Sequence, residues 1–223
     1  MGDLSRLIAF DLDGTLIDSR RDLADSANEL IVELGGTALT EDAIGGMVGE
    51  GAALLVRRAL HAAGLEHPPA AVTRFLEIYD TRLVNHTRVY PGILEALDSV
   101  RGRARLGVLT NKPTAPTERL LDAFAIRDLF HTVIGGDGPH PRKPDPQGLL
   151  AMMAASGATP DHTVMVGDSG VDFETARRAS VRCCLVSYGF GFRVPLRDQV
   201  SDGNAVVDNG HALAQWLGRW LTA

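Results

Sequence analysis

Six short apolar runs constrain what this chain can fold into more than any other feature: LIAF (7–10), RLGVLT (105–110), TVIGG (132–136), TVMVGD (163–168), CCLVS (183–187) and AVVD (205–208). The runs are continuous in apolar character, as expected of strands covered on both faces, and helical periodicities fall between the later ones. Ile93, Leu94, Leu97 and Val100 share one helical face, as do Leu120, Leu121 and Phe124, and then Leu149, Leu150 and Met153. Near the end, Leu213, Trp216, Leu217, Trp220 and Leu221 recur at the same spacing, a stripe that reads as core and not as a ligand platform. Strand and helix in alternation predict an α/β fold: a Rossmann-like parallel sheet core with helices on both faces.

The alternation fails once. Between residues 17 and 86 there are helical patterns at 22–34, 52–63 and 70–84, separated by LGGTALT, GGMVGEG and GLEHPP, and no strand pattern. About 70 residues are too many for a simple crossover. They predict an inserted all-helical cap over 17–87, set into a discontinuous core of 1–16 and 88–223, with hinges near 15–20 and 86–91.

At 223 residues and 45% hydrophobic, the chain can build both units. Its net charge of −6 disfavours nucleic acid or an anionic membrane surface as partner. No run approaches the roughly 18 apolar residues of a spanning helix, so no membrane partner is expected. The opening stretch carries only LIAF before an acid, unlike a signal peptide, and Arg6 stands where a myristoylation pattern needs Ser or Thr. Cys183 and Cys184 are adjacent and cannot staple distant segments; they read as packed strand residues in a reducing cytoplasm. Nothing in the sequence sets an oligomeric state.

The chemistry lies where the strands end. Asp11 and Asp13 follow LIAF, and side chains two apart on an extended segment point to one side. In open α/β sheets that carboxyl end is where ligands bind. Gly14 permits a sharp turn and Thr15 offers a hydroxyl. Asp168 and Asp172, in GDSGVD, follow TVMV in the same manner, with Asp172 in the opening turn of a helix. Acids gathered in one cleft repel unless neutralised, and oxygen-only ligands suit magnesium. Thr110 and Asn111 end RLGVL just before Lys112 and Pro113 lead into a helix, an arrangement ready to receive an anion. Lys143, in PRKPDP, adds a compact positive charge suited to a phosphate oxygen. No HExxH, Walker or dinucleotide pattern is present.

These residues resemble the four motifs of the haloacid dehalogenase superfamily of phosphohydrolases, in order: DLDGT (11–15), the threonine of VLTN, Lys143 in RKPDP, and GDSGVD (167–172). The helical segment is similar to the cap carried by one branch. Within that branch DLDGTLIDS, VGEGAALLVRRAL, VYPGILEAL, TNKP and GGDGPHPRKPDP resemble phosphoglycolate phosphatases. The resemblance implies Asp11 as nucleophile and Asp13 as general acid and base, with Thr110, Asn111 and Lys143 on the phosphate. It implies Mg2+ held by Asp11, the Asp13 carbonyl and Asp168, with Asp172 in support. Asp13 is then expected among other carboxylates, and its presence favours a phosphate ester over a carbon–halogen or carbon–phosphorus substrate.

The expected activity is magnesium-dependent hydrolysis of a small phosphorylated metabolite through an aspartyl phosphate, 2-phosphoglycolate first. A phosphatase for another small metabolite, a phosphomutase like those acting on β-glucose phosphate, and a non-catalytic binding protein are the competing readings. Gly49, Glu50 and Gly51 open a cap helix that could approach the leaving group, with Arg57 as the candidate for a substrate carboxylate. A flexible loop followed by a solvated helix face is the alternative for these residues.

Overall fold

A computed structural model describes residues 5–194, 196–197 and 203–223. Residues 1–4, at the start of the stretch read as lacking a leader, lie outside them. Six parallel strands form the sheet: β1 (Leu7–Phe10), β4 (Arg105–Leu109), β5 (Thr132–Ile134), β6 (Thr163–Gly167), β7 (Arg182–Val186) and β8 (Ala205–Val207). Their spatial order is β5-β4-β1-β6-β7-β8, which puts β1 in the interior. Phe10 lies opposite Val108 on one side and Val166 on the other, so β1, β4 and β6 end level with one another.

The pleat sends alternate side chains to two cores. Ile8, Phe10, Val108, Val166 and Cys184 face one layer, which contains α5 (Ile93–Val100), α6 (Thr114–Ala123) and α9 (Gly210–Trp220). Leu7, Ala9, Met165 and Cys183 face the other, built on α7 (Gln147–Ser156) and α8 (Gly170–Arg178). Adjacent cysteines therefore end in different cores, both as buried free thiols. Trp220 is buried among the residues of the first core, as the helical stripe implied.

The inserted segment contains α1 (Arg20–Glu33), α2 (Glu41–Gly45), α3 (Ala52–Ala62) and α4 (Ala71–Asp80). Ala24, Ala27, Leu55, Ala59, Phe75 and Ile78 bury its interior. One feature of this region departs from the sequence pattern. Ile17–Asp18 is a strand, β2, paired antiparallel with Arg88–Val89, β3. Two residues per strand are too short to show an alternation, so the ribbon where the chain leaves and re-enters the core was invisible in the sequence.

The ribbon is fastened by Asp22, in the first turn of α1 and fully buried. Its carboxylate accepts from the His86 N–H at 2.9 Å, the Thr87 N–H at 2.8 Å and the Thr87 hydroxyl at 2.7 Å. Both crossings are thereby tied to one helix end, where a negative charge is also favoured by the helix dipole.

Candidate active site

Asp11 continues β1, with its N–H donating to the Val166 carbonyl at 2.8 Å. Asp168 follows β6, and Asp172 sits in the first turn of α8. Parallel register and one helix start thus bring three carboxylates together, each supplying an oxygen within 4.8 Å of the others. Lys143 Nζ is 2.8 Å from Asp11 Oδ1 and 2.6 Å from Asp172 Oδ1. All four side chains are buried.

One ammonium cannot balance three buried carboxylates, and the acids respond. Burial pushes Asp11 up to about 6, against the pull of Lys143 and with the repulsion of Asp172. Burial, then Asp172 and Asp11, hold Asp168 well above the ordinary carboxylate range. For Lys143 burial works downward, but Asp11 and Asp172 outweigh it and keep the ammonium above its usual value. The cluster carries an excess of negative charge on hard oxygens, the condition that a divalent cation relieves.

Two glycines show how closely the backbone is drawn around Asp168. Gly14 has φ +87°, and a Cβ there would lie 2.1 Å from Asp168 Oδ2. At Gly189 a Cβ would meet both Asp168 Cβ and the Gly14 carbonyl at 2.3 Å. The Gly191 N–H donates to Asp168 Oδ2 at 2.7 Å. Asp172 is fixed differently. Its Oδ2 accepts from the Ser169 N–H and hydroxyl in a capping box, and its Oδ1 accepts from Lys143. Asp172 therefore orients the lysine while capping its own helix.

Asp13 does not sit among carboxylates, which corrects the sequence expectation. Its oxygens lie 3.0 and 3.1 Å from Lys112 Nζ, and Oδ1 accepts from the Ser19 hydroxyl at 2.5 Å. Asp11 and Asp13 follow an extended strand, but the turn at Gly14 takes the second acid away from the first cluster and towards the cap. Lys112 reaches into the cap as well, donating to Tyr79 Oη at 2.7 Å.

Thr110 and Asn111 line the same cleft as Asp11 and Asp13. The Thr110 oxygen accepts from the Lys112 N–H at 3.3 Å, leaving its hydroxyl proton free to donate. The Asn111 side chain links cap to core, its Nδ2 donating to the Gly49 and Lys143 carbonyls, both at 2.9 Å, so the group this residue could offer a phosphate is its backbone N–H.

The cap residues singled out from sequence fare unevenly. Gly49 and Gly51 line the cleft, with Leu23, Val48, Leu55 and Phe75 among its apolar walls. Glu50 instead pairs with Arg58 at 2.6 Å. Arg57 is exposed and borders a separate recess with His67 and Arg142, so it does not reach this cleft. Helix phase explains it: Leu55, Val56 and Ala59 bury the inner face of α3, and Arg57 lies opposite. Sequence reasoning gave no role to Lys112, Tyr79, Ser19, Gly189 or Gly191. Only Lys112 had a local signal, as a cation directly after a strand-end threonine.

A parallel sheet whose strand ends carry clustered acids, a lysine and a threonine, beneath an inserted helical cap, defines a phosphoric monoester hydrolase. The chain belongs to the haloacid dehalogenase-like hydrolase family, whose profile matches residues 8–186. It is 39% identical over 226 residues to a phosphoglycolate phosphatase of Rhodospirillum rubrum, spanning 96% of this chain and 92% of that protein. A phosphoglycolate phosphatase of Pseudomonas putida is 38% identical, over 95% of this chain and 79% of its own. The crystal structure of a predicted phosphoglycolate phosphatase from Haemophilus somnus superposes with a TM-score of 0.88. That pair is 29% identical, with 95% of this chain and 97% of the other covered. No helix among the described residues is long and apolar enough to cross a membrane.

Proposed function

We propose that this chain is a magnesium-dependent phosphatase that hydrolyses 2-phosphoglycolate through an aspartyl phosphate on Asp11. The observation that carries this reading is the buried set of Asp11, Asp168 and Asp172 with Lys143 between two of them. Its all-oxygen donors, its excess negative charge and the glycine cradle around Asp168 fit a small hard cation. Asp11, Asp168 and the Asp13 carbonyl would hold Mg2+, with Asp172 in support through Lys143. When bound, the ion supplies charge neutralisation between the nucleophile and the anionic phosphate.

Lys143 holds Asp11 Oδ1 in place, so the other carboxylate oxygen can be aimed at phosphorus. Attack forms the Asp11–phosphorus bond and breaks the bond from phosphorus to the ester oxygen. Asp13 must first take up a proton, which it then gives to that departing oxygen and regains from the water that releases inorganic phosphate. The Thr110 hydroxyl, the Asn111 backbone N–H and Lys143 stabilise charge on the phosphoryl oxygens. Ser19 and Lys112 keep Asp13 facing the cleft, and the cap walls exclude water.

The relatives named as phosphoglycolate phosphatases support the substrate. A phosphomutase would need to seat a sugar, whereas the cleft walls offer few partners for hydroxyl groups. The buried free thiols of Cys183 and Cys184 support a reducing, cytoplasmic setting. Asp11→Asn tests the mechanism. It should leave the fold intact by circular dichroism and lower the release of phosphate from p-nitrophenyl phosphate with Mg2+ by at least about 10³-fold. Retained turnover would refute the assignment.

A further inference from the structure

We propose that Lys112 and Tyr79 form the seat for a carboxylate on the leaving group, so that the site selects phosphate esters of short, negatively charged alcohols. This rests on the phosphatase reading above and deepens it.

Among the described residues lining the cleft, Lys112 is the only cation. It is buried, and its three N–H bonds go to the two oxygens of Asp13 and to Tyr79 Oη. Tyr79, on α4, is 2% exposed, and its ring packs over the ammonium at 4.5 Å. The tyrosine oxygen accepts from Lys112, while its own proton has no acceptor among the described residues. Burial pushes that phenol up to about 12, so the proton stays in place as a donor. A buried O–H donor facing a cleft without a partner is a costly arrangement unless a ligand supplies the acceptor.

The second donor comes from Lys112. Asp13 can protonate the departing oxygen only by turning one carboxylate oxygen towards it, which frees one lysine N–H. A carboxylate one methylene beyond the ester oxygen would then lie beside both donors. The N-terminus of α3 faces the same space through Gly51 and Ala52 and has no side-chain cap. Its dipole favours the same charge. A polyhydroxylated leaving group meets Leu23, Val48, Leu55 and Phe75 instead, and loses hydrogen bonds that water had supplied. The carboxylate role that the sequence suggested for Arg57 passes to Lys112 and Tyr79.

The test compares kcat/KM for 2-phosphoglycolate, 3-phosphoglycerate and 2-hydroxyethyl phosphate, the last a neutral analogue of the first. Wild-type enzyme should prefer the best carboxylate ester over the neutral one by about 10²-fold or more. Tyr79→Phe removes one oxygen and should lower that ratio by about tenfold. Lys112→Met should bring it close to unity, whatever happens to the absolute rates. Arg57→Ala should leave it unchanged. If Tyr79→Phe and Lys112→Met both keep the wild-type ratio, or if Arg57→Ala is the variant that collapses it, the inference is overturned. A wild-type preference for 3-phosphoglycerate that Lys112→Met abolishes supports the seat and refutes 2-phosphoglycolate as substrate. A wild-type enzyme indifferent to the carboxylate refutes both. Should Lys112→Met fail to fold, the Tyr79→Phe ratio decides alone.

Discussion

Gly14→Ala isolates the contact between the first motif and Asp168. A methyl at this position would lie 2.1 Å from Asp168 Oδ2 and 2.6 Å from its Cγ. Ordinary van der Waals contact requires rather more than 3 Å, so the carboxylate must move by about 1 Å. Its opposite side is closed by Gly189, where a Cβ would already meet Asp168 Cβ at 2.3 Å, and by the Gly191 hydrogen bond. The acid therefore cannot retreat without breaking that bond or displacing the loop. The φ of +87° adds about 1–2 kcal/mol of backbone strain for any residue with a Cβ. A displacement of about 1 Å at a catalytic group lowers rates by about 10²-fold, and loss of a ligand-orienting contact weakens metal affinity by about 10–100-fold. The assay is magnesium titration of p-nitrophenyl phosphate hydrolysis, with thermal melting to establish the folded state. The half-saturating magnesium concentration should rise by one to two orders of magnitude. If folded Gly14→Ala protein shows the wild-type magnesium requirement and rate, Asp168 does not ligate the ion and the close approach has no catalytic meaning.

Two other consequences concern the hinge and the charge cluster. Asp22→Ala strips the acceptor from three donors at His86 and Thr87, and should lower unfolding free energy by about 3 kcal/mol in a urea titration; an unchanged midpoint would show that water replaces the carboxylate without penalty. The folded-state pKa of Asp11 is raised to about 6, so without metal its contribution to stability is full below about pH 4 and is lost as pH rises through 6. Magnesium restores what burial and repulsion by Asp172 remove, and the melting temperature gained from the ion should be larger near about pH 7.5 than near about pH 5. An equal gain at both would exclude Asp11 as the titrating ligand.

Three of the four motifs were legible because each follows a strand end, and a parallel sheet brings the ends of its strands to one edge; Lys143 comes from the loop between β5 and α7. Asp11, Thr110, Lys143 and Asp168 stood out by residue type and position, but their joint roles came from the resemblance of the ordered set to a known family, not from any one local pattern. Asp13 shows where such reasoning stops. Its spacing from Asp11 suggested a shared acidic environment, but the turn at Gly14 faces it towards Lys112 and Ser19. Arg57 looked suited to a substrate carboxylate by its charge, and helix phase turned it outward. Tyr79 carried no signal in the sequence; its hydroxyl gains meaning only from Lys112, which lies 33 residues away along the chain.

Apolar runs, their alternation with helices and the one helical interruption determined the layer architecture. They also determined which acids stand at the sheet edge, because burial of strand faces and helix stripes is dictated by residue order. Which cation meets which acid, how tightly glycines close on Asp168, and which cap side chains reach the cleft were decided by the packing of helices onto the sheet. Those contacts join segments far apart in the chain, and their energies depend on distances of a few tenths of an ångström that no local pattern encodes.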